Sequence, residues 1–279
     1  MKKGINVWSF PVQSLEETFK MAKDAGFDGV ELALFEEGEL DLNTTEEGML
    51  KIKAMADKYG IELYSVATEL LWYYWLNDED EAKRDKAKAI VRKMIDCASV
   101  MGCDTVLVVP GVVGAEWAIA DKKMDYELCW ERSLEAIKEL AKYAEEKKIY
   151  IGIENVGNKF LLSPMEMRSF IDAVGSEYVG AYLDVGNLLY DGYPEMWIKT
   201  LGKRIKKVHF KDYRMAAGGE HGYVDLLAGD VDFPLVMESF KKIGYDNWVT
   251  AEMIPNYRYY TEAIVYNTSF SMDKILGRK

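Results

Sequence analysis

Residues 149–184 read IYIGIENVGNKFLLSPMEMRSFIDAVGSEYVGAYLD and contain two short apolar runs separated by a helical segment. Ile149–Glu154 and Val179–Asp184 have the length and apolar character of buried strands, and Pro164–Ala173 is predicted to be the helix between them. A strand that returns after a crossover helix lies parallel to the strand before it. Each run ends in a carboxylate, so the segment predicts a β–α–β unit with acidic groups at one edge of a sheet.

The same alternation continues in both directions along the chain. Predicted helices stop at Gly26, Gly60, Gly102 and Gly244, each of which stands just before a strand-like segment. The other predicted strands are Gly4–Trp8, Gly29–Leu34, Ile61–Ala67, Thr105–Val109, Ile205–Lys211 and Trp248–Met253.

Eight strand–helix repeats predict an α/β fold, a single (β/α)8 TIM barrel that occupies residues 1–279 as one domain. The length agrees, because such barrels commonly need about 250 residues. A doubly wound open sheet fits less well. It needs a point where the strand order reverses, and no glycine-rich phosphate loop follows the first strand.

Composition narrows the possible partners and location. The formal net charge of −12 opposes binding to nucleic acid or to an anionic membrane, but a small phosphorylated substrate remains possible. No apolar run approaches the roughly 18 residues that a membrane span needs. Cys97, Cys103 and Cys129 have no metal-type spacing and are predicted to be buried free thiols. These features favour a cytoplasmic protein that acts on a small molecule.

Metal-favouring residues stand at the ends of four successive predicted strands: Glu154, Asp184, His209 and Glu252. Each is the first strongly polar side chain after an apolar run. A strand-end carboxylate is usually a helix cap or a surface charge, and a lone histidine is usually packed or solvated. Their shared position in four adjacent repeats argues otherwise, because barrel active sites lie at the carboxyl ends of the strands. We therefore expect one shared metal site.

Three carboxylates and one imidazole suit Mn²⁺ best, with Co²⁺ or Mg²⁺ as alternatives. A cation that chelates a carbonyl and the neighbouring hydroxyl of a sugar would acidify the adjacent C–H bond and stabilise the resulting enediolate. One carboxylate on each face of that plane could remove a proton and return it on the other side. Glu154 and Glu252 flank the site and are the expected pair.

Several residues near these strand ends are candidate substrate contacts. Trp8 could form an aromatic floor for a sugar or simply pack in the core. Asn155 and Asn187 could orient substrate hydroxyls or fix a metal ligand. Lys211 or Arg214 could meet a phosphate.

Other residues have two readings each. Glu31 could point into the barrel or pair with a base, or it could form a buried structural pair. Asp212 could support the imidazole of His209 or form a surface pair. The aromatic segment 72–75 predicts a lid or an oligomer contact. His221, in a glycine-rich loop, is expected to be solvated.

The motifs IGIEN, LDVGN, VHFKD, AGDVDF and AEM resemble the xylose isomerase-like TIM-barrel superfamily of sugar isomerases and epimerases. Within it, the chain most resembles the ketose 3-epimerases that act on L-ribulose 5-phosphate, L-xylulose 5-phosphate, D-tagatose or D-psicose. The resemblance implies that Glu154, Asp184, His209 and Glu252 bind one Mn²⁺ or similar ion. It also implies that the two glutamates exchange the C3 proton. A sugar or sugar phosphate is then the ligand, and a homodimer or homotetramer is possible.

The chain departs from the free-ketose epimerases at three positions. Asn187 replaces a substrate-binding histidine, Phe160 replaces a second glutamate, and Met215 replaces an arginine, with Arg214 one residue earlier. LDVGN and HFKD are closer to the sugar-phosphate branch, whereas IPNYRYYTEAI does not match that branch.

Three other functions are alternatives to the epimerase. A lyase acting on a 3-oxo-glycoside would use a similar metal and base, and a non-catalytic sugar-binding subunit would use the same pocket. Metal-dependent phosphodiester hydrolysis is disfavoured, because it needs many more histidines and a basic groove, and this chain has two histidines and a charge of −12.

Overall fold

The computed structural model describes residues 1–11, 13–115, 122–190 and 192–278. Eight parallel strands close a barrel in which each strand pairs with the next along the chain and the last pairs with the first. The strands are β1 (Lys2–Asn6), β2 (Gly29–Leu34), β3 (Glu62–Thr68), β4 (Thr105–Val108), β5 (Tyr150–Glu154), β6 (Val179–Asp184), β7 (Ile205–Phe210) and β8 (Trp248–Ala251).

A helix follows each strand. The helices are α1 (Leu15–Asp24), α2 (Glu46–Tyr59), α3 (Glu81–Met101), α4 (Tyr126–Lys147), α5 (Pro164–Val174), α6 (Pro194–Leu201), α7 (Phe233–Ile243) and α8 (Ala263–Ile275). Gly60, Gly102 and Gly244 end helices in the left-handed conformation, as their positions in the sequence predicted. The predicted (β/α)8 barrel is confirmed, and the open-sheet alternative is excluded.

The apolar core lies mainly between the strands and the helices, and polar groups occupy part of the barrel interior. At the amino-terminal end of the barrel, the Tyr64 ring stacks on Trp248 with 3.8 Å between centroids. Gly4 is required there, because a Cβ at this position would lie 2.0 Å from the Tyr64 hydroxyl oxygen. Higher in the barrel, Tyr182 is fully buried and packs with Ala67 and Leu107. This layer supports the polar groups at the carboxyl ends of the strands.

Cys97, Cys103 and Cys129 are buried free thiols, as predicted. Burial raises the pKa of Cys97 and of Cys129 to about 12, so these thiols stay protonated near neutral pH. Within the described ranges, no helix is both long and apolar enough to cross a membrane.

One local prediction was wrong. Trp8 was placed at the end of the first strand, but it lies in a 3₁₀ turn, Val7–Ser9, that follows β1. The role of segment 72–75 as a lid or an oligomer contact stays a prediction. Trp75 is buried and donates a hydrogen bond from Nε1 to the Trp72 carbonyl, whereas Tyr73 is exposed. Burial of apolar rings against the barrel is favoured over presenting them to water.

Candidate metal centre

Glu154, Asp184, His209 and Glu252 converge at the carboxyl ends of β5 to β8, as the sequence predicted. Each is buried, and one possible ligand atom from each lies within 4.8 Å of the others. The Nδ1 atom of His209 is 2.9 Å from Glu252 Oε2, 3.5 Å from Glu154 Oε1 and 3.9 Å from Asp184 Oδ2. Only parallel neighbouring strands could bring these four positions to one rim.

Strand pairing explains part of this convergence. Asp184 is the register partner of His209 on the neighbouring strand, so both side chains leave the sheet at the same level. Glu252 follows β8 directly, and its backbone N–H donates to the Phe210 carbonyl over 3.1 Å. The backbone geometry therefore fixes the spacing of these three side chains.

The polar atoms that face one another lack hydrogen-bond partners, although Lys211 forms ion pairs with two of them, and this tests whether the cluster suits a metal ion. Among the described residues, Asp184 Oδ2, His209 Nδ1 and Glu252 Oε2 are buried and have no hydrogen-bond partner. Buried polar atoms without a partner are rare in native proteins and call for an explanation. Two carboxylate oxygens and an imidazole nitrogen that face each other fit a divalent cation.

Lys211 brings a positive charge to the same cluster. Its Nζ atom is 3.0 Å from Asp184 Oδ2 and 2.5 Å from Glu252 Oε2, an ion-pair arrangement rather than a directed hydrogen bond. Lys211 is buried, and its ammonium lies 5.7 Å from the centroid of the Tyr223 ring. The sequence predicted a substrate or phosphate contact for Lys211 but gave no sign that it touches the metal-favouring residues.

The pKa values of the carboxyl groups in the cluster shift in opposite directions. Burial raises the pKa of Glu154 to about 7 and also raises the pKa of Asp184. Burial alone would also raise the pKa of Glu252, but the charges of Lys211 and His209 outweigh it and lower that pKa. The site thus concentrates negative charge in a buried setting, which favours a bound cation.

The second ring nitrogen of His209 meets a carboxylate from the far side of the barrel. His209 Nε2 lies 2.7 Å from Glu31 Oε1, and both side chains are fully buried. Asn6 Nδ2 donates to the same oxygen over 2.6 Å, and the Tyr182 hydroxyl donates to Glu31 Oε2. Glu31 therefore points into the barrel and pairs with a base, the imidazole of His209, and this pair is buried.

The predicted support of His209 by Asp212 is wrong. The Asp212 carboxylate accepts hydrogen bonds from the backbone N–H groups of Tyr213, Gly229 and Val231 over 2.8 to 3.1 Å. Successive side chains of an extended segment point to opposite faces, so Asp212, three residues after His209, does not share the face of His209 and Lys211. Asp212 therefore organises the following loop.

Asn155 and Asn187 hold Asp184 in place. Asn155 Oδ1 accepts from the Asp184 N–H over 2.9 Å, and Asn155 Nδ2 donates to the Asp184 carbonyl over 2.8 Å. The Asn187 N–H donates to Asp184 Oδ1 over 2.9 Å, and its side-chain oxygen accepts from the Tyr223 hydroxyl over 2.7 Å. These bonds agree with the second predicted role, the fixing of a ligand.

Trp8 reaches the cluster in a way that the sequence did not reveal. Its Nε1 donates to Glu252 Oε1 over 2.7 Å, and its half-buried ring packs against the layer that contains Tyr182. Arg214 is exposed, and its guanidinium donates to the Ala228 carbonyl.

Phe160 stands at the position of the second glutamate of the free-ketose epimerases, and its surroundings are apolar. Phe160 is buried and packs edge-on against Tyr126, Trp130 and Phe170. A small recess next to Asn155 and Asn187 is lined mainly by apolar residues, namely Val156, Phe160, Leu161, Leu162, Leu188 and Trp197. His221 is exposed, as predicted.

The fold and the site define a (β/α)8 barrel with a buried acidic and histidine cluster at the carboxyl ends of its strands. The family model described as Xylose isomerase-like TIM barrel matches residues 19–266. The chain belongs to this family, so the resemblance drawn from the motifs is confirmed.

Known proteins are similar over most of the chain. A putative L-ribulose-5-phosphate 3-epimerase, SgbU of Escherichia coli (strain K12), is 26% identical over 248 residues, covering 86% of this chain and 84% of that protein. A crystal structure of D-psicose 3-epimerase in the presence of D-fructose superposes with a TM-score of 0.80 at 17% identity, covering 100% and 98% of the two chains. A structure of the IOLI protein with a bound zinc atom superposes with a TM-score of 0.79 at 17% identity, covering 100% and 99%. At these identities, the structural matches support the fold.

Proposed function

We propose that the protein is a divalent-metal-dependent sugar epimerase that inverts C3 of a ketose or ketose phosphate. The observation that carries the proposal is the cluster of four buried ligand atoms, one from each residue and all within 4.8 Å of one another. The similarity to a putative L-ribulose-5-phosphate 3-epimerase and to D-psicose 3-epimerase supports this choice of reaction within the family.

Glu154, Asp184, His209 through Nδ1 and Glu252 would hold the ion, and Mn²⁺ is the proposed metal, with Co²⁺ or Mg²⁺ as alternatives. A bound divalent cation supplies Lewis acidity, which polarises the substrate carbonyl and acidifies the neighbouring C–H bond.

Glu154 and Glu252 are the proposed proton carriers. One carboxylate removes the C3 proton, which leaves a planar enediolate, and the other, in its protonated form, donates a proton to the opposite face of C3. The first carboxyl then holds the abstracted proton, and exchange with solvent returns both groups to their starting states. Both carboxylates lie beside His209 Nδ1, with Glu154 Oε1 at 3.5 Å and Glu252 Oε2 at 2.9 Å, which supports their assignment as the pair of proton carriers.

Lys211 is the proposed source of local positive charge during this step. Proton removal leaves negative charge on the substrate oxygens, and an ammonium in a buried site stabilises such charge more strongly than it would in water. Lys211 lies next to both Asp184 and Glu252, so it is within the region where that charge develops.

The remaining partner assignments stay predictions. The ligand is proposed to be a small sugar or sugar phosphate, with the Trp8 ring as a floor for its apolar face and Arg214 as a phosphate contact. A homodimer or homotetramer and a cytoplasmic location are likewise predictions.

Exchange of solvent deuterium tests the proposal. Chelator-treated protein should leave a panel of ketoses and ketose phosphates unchanged in D₂O. After Mn²⁺ is restored, the C3 proton signal of one substrate should disappear from the proton NMR spectrum, because deuterium replaces that proton. Signals of the C3 epimer of the same substrate should appear. Full turnover without metal would contradict the proposal, and so would release of an aglycone from a 3-oxo-glycoside without any C3 epimer. The second result would establish the lyase instead.

A further inference from the structure

We propose that Glu31 is a positioning residue of the metal centre: its carboxylate holds the His209 ring so that Nδ1 faces the cation and contributes to metal affinity. This inference rests on the proposed function, because it assumes that the cluster binds a metal. Nothing in the motifs of the family resemblance assigns a role to Glu31.

The contact crosses the barrel interior. Glu31 lies in β2, next to Asn6 of β1 in the sheet, whereas His209 lies in β7. Their side chains meet with 2.7 Å between Glu31 Oε1 and His209 Nε2, although the residues are 178 positions apart. Both have 0% exposure, so water does not compete for this contact.

The contact with Glu31 also selects the tautomer of the His209 imidazole. An ionised carboxylate only accepts hydrogen bonds, so His209 Nε2 must carry the hydrogen. In the neutral ring, the lone pair then sits on Nδ1, which is the atom that faces Glu154, Asp184 and Glu252. A carboxylate behind a ligating imidazole fixes its tautomer and makes it a stronger donor to a metal.

Glu31 itself is held rigidly. Asn6 Nδ2 donates to Oε1 over 2.6 Å, and the Tyr182 hydroxyl donates to Oε2. Asn6 is oriented in turn, because its Oδ1 accepts from the Trp8 N–H over 2.9 Å. Hydrogen-bond donors from β1, β6 and β7 thus surround the Glu31 carboxylate of β2. Because this carboxylate is held in place, its contact with Nε2 fixes the orientation of the His209 imidazole.

The test compares metal binding by the full chain and its Glu31→Gln variant. Chelator-treated proteins are titrated with Mn²⁺ by calorimetry and with Co²⁺ by visible absorption. We expect Glu31→Gln to bind Mn²⁺ about 10- to 100-fold more weakly and to show an altered Co²⁺ spectrum. Tyr182→Phe is the matched control: it also loses a hydrogen bond to Glu31 but keeps the Oε1 contact to His209. Its affinity should fall less than that of Glu31→Gln, because the Glu31 carboxylate and its contact to His209 remain.

The outcomes separate the two claims. If Glu31→Gln keeps wild-type affinity and the wild-type Co²⁺ spectrum and only unfolds more easily, Glu31 is merely structural and the inference is overturned. If Glu31→Gln does not fold, Glu31→Asp replaces it, since a carboxylate one methylene shorter loses the contact, and the same weakening is expected. A wild type that binds Mn²⁺ yet epimerises no ketose would remove the proposed function, while the affinity difference would still support or overturn the role of Glu31. A wild type that binds neither metal would overturn both.

Discussion

The indole of Trp8 donates from Nε1 to Glu252 Oε1 over 2.7 Å, although the two residues are 244 positions apart in the sequence. A side chain that follows the first strand therefore holds a carboxylate that follows the last strand. The other oxygen of the same carboxylate, Oε2, faces His209 and Lys211. Glu252 thus has one oxygen tied to the indole and one directed into the cluster.

Replacing Trp8 by Phe separates its two proposed roles. The variant keeps an aromatic face for a sugar but loses the hydrogen bond to Glu252. A hydrogen bond to a charged group contributes about 1.5–3 kcal/mol, so kcat should fall by about 10- to 100-fold with little change in KM. Steady-state kinetics check this. A Trp8→Phe variant with wild-type kcat would show that the indole N–H is dispensable and leave only the floor role.

Replacing either proposed proton carrier by glutamine should reduce turnover on its own. In Glu154→Gln or Glu252→Gln, an oxygen donor remains but the base is lost, so turnover should fall by about 10²- to 10⁴-fold. Deuterium exchange at C3 and epimer formation are measured side by side. If one variant still exchanges the C3 proton without inverting it, its glutamate serves the second face. Wild-type turnover in both variants would refute the two-carboxylate scheme.

Removing the ammonium of Lys211 should affect metal binding and turnover in opposite directions. Lys211→Met eliminates a positive charge beside two proposed metal ligands, so Mn²⁺ should bind more tightly, by about tenfold or more, because like charges at this range repel strongly. The turnover number should drop, since charge on the substrate loses its neighbour. Lys211→Arg keeps the charge and serves as the control. Weaker Mn²⁺ binding by Lys211→Met, measured by calorimetry, would contradict this account.

A buried ion pair at the other end of the barrel offers a stability test that should not touch the metal centre. Lys3 Nζ lies 2.6 Å from Asp273 Oδ1 and 2.9 Å from Ser269 Oγ, which ties β1 to α8. Asp273→Asn leaves a buried ammonium without its counter-charge, so the free energy of unfolding should fall by about 3–5 kcal/mol. Urea unfolding measures the loss. An unchanged midpoint would show that the pair contributes little.

The barrel and the position of the metal-favouring residues could be predicted because their signals are local. Glu154 and Asp184 each follow an apolar run, and Gly60 and Gly102 mark helix ends that the structure reproduces. Parallel pairing then forces successive strand ends onto one rim.

The contacts around those residues could not be predicted, because they join distant parts of the chain across the barrel. Glu31 and His209 are 178 positions apart, and no periodicity links them. Asp212, which is close to His209 in sequence, was one candidate partner of its imidazole. Its carboxylate is instead bound by the amides of the loop after β7.

The most direct measurement of the central claim is the metal stoichiometry and affinity of the chelator-treated chain, compared with Asp184→Asn and Asp212→Asn. The first variant alters a buried carboxylate in the cluster, and the second alters a nearby carboxylate that accepts hydrogen bonds from loop amides. We predict one Mn²⁺ per wild-type chain by calorimetry, severe weakening in Asp184→Asn and wild-type affinity in folded Asp212→Asn. Absence of binding by the wild type, or equal affinity in all three proteins, would contradict the account.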